Sequence, residues 1–148
     1  FLVIEADTTS ASELYKRALK YVEMNYKDPD EVYKGQVEEE YLKIETFKPN
    51  LTTANNSGVK LPIDARYFIE MRFKDGPVRY EITGLSMTAQ NGGRPLNFSG
   101  SIWKGYPIYN KKGELRLEES KKDIEDYFNS ELLGIKKIVW GESPVDDW

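Results

Sequence analysis

The sequence predicts an α+β fold: an antiparallel sheet with two helices packed on one face. Three observations predict it. Between residues 64 and 74, Tyr67, Ile69, Met71 and Phe73 alternate with Arg66, Phe68, Glu70 and Arg72, which is the period of a half-buried strand. Asp75-Gly76 then marks a hairpin turn, and Val78, Tyr80 and Ile82 carry the apolar row back. Two stretches with helical spacing, one after Ser10 and one after Glu119, supply the apolar stripes that would cover one sheet face.

The elements follow in order. Residues 1–6 (FLVIEA) are a short apolar run, read as a buried strand. Ser10 and Glu13 have capping-box spacing, Ser10 capping one free N–H and Glu13 reaching back to another. Leu14, Ala18, Tyr21, Val22 and Tyr26 then recur near helical spacing until Asp28-Pro29 stops the helix. Residues 31–36 and 41–47 read as strands joined through residues 37–40. In the second, Leu42 and Ile44 alternate with Lys43 and Glu45. Residues 48–62 have loop composition and are the stretch expected to be disordered. The 64–82 hairpin follows. Residues 88–114 are rich in Gly, Asn, Pro and aromatics, and are expected to hold one short strand near 96–103 and a turn at 110–113. A last helix starts near Glu119 or Ser120 and carries Ile124, Tyr127, Phe128, Leu132 and Ile135, with Gly134 ending or interrupting it.

The hairpin register can be argued from magnitudes. Phe73 opposite Val78 sets Met71 against Tyr80 and Ile69 against Ile82. The same register opposes Arg72 to Arg79 and Glu70 to Glu81, leaving Arg72–Glu81 and Glu70–Arg79 as attractive diagonals. Burying each large apolar side chain is worth about 1.5–3 kcal/mol. An exposed ion pair is worth under about 1 kcal/mol. The apolar match therefore sets the register.

At 148 residues the chain has the size of one domain, expected over 1–140 with an extended tail at 141–148. A net charge of −4 disfavours nucleic acid and anionic membranes as partners. With no Cys and no His, the chain has no thiolate nucleophile, no Cys/His zinc site and no Ser-His-Asp triad. No apolar run approaches the roughly 20 residues that span a bilayer. A first residue of Phe rather than Met is read as processing or trimming, with any signal segment already removed.

Residues 10–18 (SASELYKRA), 30–47 and the hairpin 68–82 (FIEMRFKDGPVRYEI) resemble a family of uncharacterised domains from Bacteroidetes-type bacteria with a TATA-binding-protein-like (TBP-like) fold. The resemblance covers roughly the first ninety residues. It implies a strand-helix-four-strand-helix order and a cell-envelope, periplasmic or secreted location. It brings no catalytic residues to transfer. Nor does the fold name imply DNA binding, which needs a basic concave sheet and wedging side chains. Here the outer face mixes Arg66, Glu70, Arg72, Arg79 and Glu81.

Chemistry-bearing groups are few. Asp28, Asp30 and Glu31, and separately Glu38, Glu39 and Glu40, are acidic clusters without calcium-loop spacing, read as solvated turns. Asn91-Gly92-Gly93-Arg94 lacks phosphate-loop spacing and reads as a turn. Asn50, Asn55 and Asn97 head glycosylation sequons, inert in a bacterial setting. Phe98, Trp103, Tyr106 and Tyr109 are the candidate partner-binding residues. Aromatics on a long loop either cover a core edge, the more frequent use, or anchor a protein or stack on a sugar. An exposed Phe68 means little alone, whereas several exposed Phe would imply a covered outer face.

The expectation is a non-catalytic envelope or secreted module that binds a protein or glycan and needs no cofactor or metal. The alternatives are a carboxylate-dependent hydrolase and a structural domain that self-associates.

Overall fold

The computed structural model describes residues 1–90 and 93–142. Its elements are β1 (Leu2–Glu5), α1 (Ala11–Asn25), α2 (Pro29–Val32), β2 (Tyr33–Val37), β3 (Tyr41–Asn56), β4 (Val59–Phe73), β5 (Pro77–Ala89), β6 (Leu96–Ser99), β7 (Tyr106–Tyr109) and α3 (Glu118–Val139). Five strands form one sheet in the order β1-β5-β4-β3-β2, and β6 pairs with β7 in parallel. The chain divides into two compact units. The first comprises Phe1–Thr46, Phe68–Thr83 and the chain from Glu131 on; the second comprises Phe47–Tyr67 and Gly84–Ser130.

In the first unit the alternation of β4 and β5 becomes a buried face. Ile69, Met71, Phe73, Val78 and Tyr80 are all buried. The Lys74 N–H donates to the Pro77 carbonyl at 3.1 Å, closing the two-residue turn that the apolar register requires. Helix α1 covers this face with Leu14, Tyr15, Ala18 and Val22, and Tyr15 meets Phe73 edge-on at 5.5 Å. Ser10 caps the helix by accepting from the Glu13 N–H at 3.2 Å. The second half of the capping box does not form, because the Glu13 carboxylate accepts from Arg17 Nε at 3.1 Å instead. Asp75, in the β4–β5 turn, accepts from the Ala11 N–H at 2.9 Å and so ties the hairpin to the start of the helix.

The outer face of this unit differs from expectation. The diagonals Arg72–Glu81 and Glu70–Arg79 are replaced. Glu70 accepts from Tyr41 Oη at 2.5 Å and from Thr83 Oγ1 at 2.7 Å, while Arg79 pairs along its own strand with Glu81 at 3.6 Å. Cations on this face also sit over rings: Lys43 over Phe68, Arg72 over Tyr41 and Arg79 over Phe1. Ring faces attract cations, and the neighbouring strands bring two hydroxyls to Glu70.

β1 is an edge strand with only Ile4 buried, so residues 1–6 are not the buried strand expected. The one-turn α2 takes the first residues of the strand expected at 31–36, because Pro29 has its fixed φ at a helix start.

The second unit holds the largest departure. Residues 48–62 are mostly ordered strand rather than disordered loop. β3 runs on to Asn56, Ser57-Gly58 turns the chain, and β4 starts at Val59. Both turn residues have positive φ (53° and 86°), as a tight hairpin turn demands, and Gly58 adopts it without Cβ strain. Asn50 also has positive φ, 53°, and its N–H donates to Asp64 at 2.9 Å. Gln90 Nε2 bonds both side chains, at 3.0 Å to Asn50 and 2.8 Å to Asp64. This polar clasp joins β3 and β4 to the end of β5.

The core of this unit is Leu51, Ala54, Ile63, Ala65, Met87, Ala89, Leu96, Ile108 and Ile124. Helix α3 docks by two polar pins. Ser120 Oγ donates to the Thr53 carbonyl and Thr52 Oγ1 donates to Asp123, both at 2.8 Å. Beyond them Phe128 meets Tyr67 edge-on at 5.2 Å. Tyr67, the first residue of the alternating row, is buried and is thus covered by α3. Gly134 does not end α3, which continues to Val139.

Among the described residues, 88–114 contain two short strands where one was expected, and the turn at 110–113 is present. The Gly113 N–H donates to the Asn110 carbonyl at 3.0 Å, and Asn110 Oδ1 accepts from the Lys112 and Glu114 N–H groups. The expected order holds for β1, α1, β2–β5 and α3, with α2 and the β6–β7 pair added. No described helix is long and apolar enough to cross a membrane. Most of the tail expected at 141–148 lies outside the described residues.

Candidate functional site

The second unit carries a groove of about 330 Å³ lined by Asn55, Asn56, Ser57, Arg94, Ile102, Trp103, Gly105, Tyr106, Pro107, Arg116 and Leu117. Its size falls at the small end of ligand sites. Each wall has a local cause. The β3–β4 turn presents Asn55 to Ser57 and is held by Asn55 Oδ1 accepting from the Gly58 N–H at 2.9 Å. Arg94 is placed by its carbonyl, which accepts from the Ala89 N–H at the end of β5 at 2.9 Å. The Asn110 turn returns the chain along β7, where the Arg116 N–H donates to the Ile108 carbonyl at 2.7 Å.

Gly105 sets the floor. A Cβ there would lie 2.5 Å from the Pro95 carbonyl oxygen and 2.7 Å from Asn97 Nδ2. Only glycine lets the chain pass this close, and the next residue uses the proximity: the Tyr106 N–H donates to the Pro95 carbonyl at 2.8 Å. Tyr106 packs against the core and carries the Arg94 guanidinium over its ring at 4.9 Å. Arg94 also donates from Nη2 to the Ile102 carbonyl, bracing the segment that holds Trp103.

The four aromatics singled out in the sequence separate. Trp103 and Tyr106 meet in the groove. Trp103 is 87% exposed, so its ring has no packing role. Tyr109 is half-buried against the core, covering a core edge, and Phe98 is exposed outside the groove lining. Sequence reasoning missed Asn55, Asn56, Arg94 and Arg116 as companions of the aromatics. The Ser57-Gly58 pair between two apolar-rich runs was the signal that could have placed the first two at a hairpin tip.

The other candidates do not line the groove. Asp28 precedes the one-turn α2 and Asp30 and Glu31 lie in it, and Glu38, Glu39 and Glu40 occupy the exposed β2–β3 turn. Among the described residues no three carboxylates converge as a metal site. Of the Asn91-Gly92-Gly93-Arg94 turn, the first two residues lie outside the described residues. Among the described residues two carboxylates depart from ordinary acidity. The Tyr41 and Thr83 hydroxyls hold Glu70 below its usual value, and Gln90 and the Asn50 N–H do the same for Asp64. Both shifts favour the ionised form, opposite to what a general acid needs.

Comparison with known proteins agrees with this architecture. Residues 1–88 match the model of a family described as a domain of unknown function, DUF4468, with a TBP-like fold. No curated protein matches the chain. A crystal structure of a DUF4468 family protein from Bacteroides ovatus superposes with a TM-score of 0.60 at 11% identity, covering 97% of this chain and 86% of that one. The likeness to that structure is one of fold. With more than half its length matched, the chain belongs to the DUF4468 family of TBP-like domains.

Proposed function

We propose that this chain is a non-catalytic binding module of the cell envelope or secreted space, and that its groove takes a glycan. The observation that carries the reading is the exposed Trp103 ring beside Tyr106, flanked by the amides of Asn55 and Asn56. A flat ring packs against the apolar C–H face of a sugar. Amides donate to and accept from its hydroxyls. The groove lining contains no Asp or Glu among the described residues, so the carboxylate pair of a glycoside hydrolase does not sit at this site. This favours binding over hydrolysis there.

Trp103→Ala tests the proposal. Because the ring is solvent-exposed, the variant should keep its circular dichroism spectrum and melting temperature. Glycan-array binding should fall at least about tenfold, the loss expected of an aromatic anchor. An unchanged array profile would remove the groove from the account.

A further inference from the structure

We infer that the ligand of this groove is an acidic sugar, its carboxylate received by Arg116 beside Arg94; the inference rests on the glycan reading above. The chain as a whole is acidic, with 25 Asp and Glu against 21 Lys and Arg. The groove reverses that balance. Two arginines line it, and among the described residues no Asp or Glu does. Charge of this kind at a concave surface raises the local concentration of anions.

The two arginines hold different positions. Arg94 is fixed: it lies over the Tyr106 ring and donates to the Ile102 carbonyl. Arg116 is exposed, and among the described residues its guanidinium makes no hydrogen bond or ion pair, although its backbone is anchored at Ile108. An anchored backbone with an uncommitted guanidinium is suited to an incoming anion. The planar fork of an arginine matches the two oxygens of a carboxylate. Asn55 adds directional capacity. Its Oδ1 is engaged by the Gly58 N–H, which turns its Nδ2 donors toward acceptors outside the turn. Arg116 and Asn55 thus both offer donors to a ligand. A ligand rich in acceptors, with a ring for Trp103 and a carboxylate for Arg116, complements all of them together.

The test compares matched sugars. Uronic-acid and sialylated oligosaccharides are titrated into the intact chain beside the same oligosaccharides with their carboxyls reduced to alcohols. The acidic member should bind at least about tenfold tighter, a charge-assisted bond being stronger than a neutral one. That preference should shrink as salt rises. Arg116→Gln should erase the preference while leaving the melting temperature unchanged, and Arg116→Lys should restore part of it. Equal affinity for acidic and reduced members would overturn the acidic-sugar inference and leave the glycan reading standing. Binding to neither member of any pair, with the fold intact, would overturn both.

Discussion

Gly105 shows how much of the site rests on a missing side chain. The Pro95 carbonyl stands 2.5 Å from where a Cβ would be, and it is the same oxygen that receives the Tyr106 N–H. Gly105→Ala should therefore push β7 away from Pro95. Forced overpacking of this kind costs about 1–3 kcal/mol, which urea denaturation should report as a lowered midpoint. Because Tyr106 moves with its backbone, the variant should also weaken ligand binding. Trp103, two residues earlier, is the opposite case: a large ring whose removal leaves the core untouched. The pair separates what builds the groove from what the groove presents.

At the scale of elements, helix α3 lies on β3 through polar contacts as well as apolar ones. Ser120 is 1% exposed and its hydroxyl donates to the Thr53 carbonyl. Losing one hydrogen bond to a half-buried carbonyl costs about 0.5–1.5 kcal/mol. Ser120→Ala should lower stability by that amount in denaturant unfolding, whereas the exposed neighbour Lys122→Ala should change it little. The same contact explains why the composition of 48–62 misled. Pro49, Asn50, Asn55, Asn56 and Ser57 are turn residues by local preference. The ladder with β4, the Asn50–Asp64–Gln90 clasp and the docked helix outweigh that preference.

At the scale of the molecule, pH should act through carboxylates held in ionised form. Glu70 receives two hydroxyl hydrogen bonds, so its folded-state acidity is stronger than in the unfolded chain, where Glu titrates near about 4.3. A depressed folded value contributes stability that is fully present above the unfolded value and is lost as pH falls through the folded one. Glu70→Gln should thus melt below the wild type at pH 7, and the two should converge as the pH drops below about 4. Partial exposure keeps the difference under about 1 kcal/mol. A thermal-melt series from pH 7 to pH 3 checks it, and a gap that widened on acidification would contradict this account of Glu70.

Sequence alone determined the parts governed by period and by local chemistry. The alternation from Tyr67 to Ile82 marked the sheet face that is buried except at the half-buried Ile82, because side chains of a strand alternate and only one side can leave water. Ser10 marked the start of α1, and Asp75-Gly76 marked a turn, since each acts within a few residues of itself. Trp103 and Tyr106 stood out as aromatics in a loop. Only tertiary structure decided that they meet Asn55, Asn56, Arg94 and Arg116, which come from three separate stretches of chain. It also decided that Tyr109 turns to the core and that β3 outlasts its own turn residues. Those outcomes depend on contacts between segments far apart in the chain, and no local preference records which segments will pair.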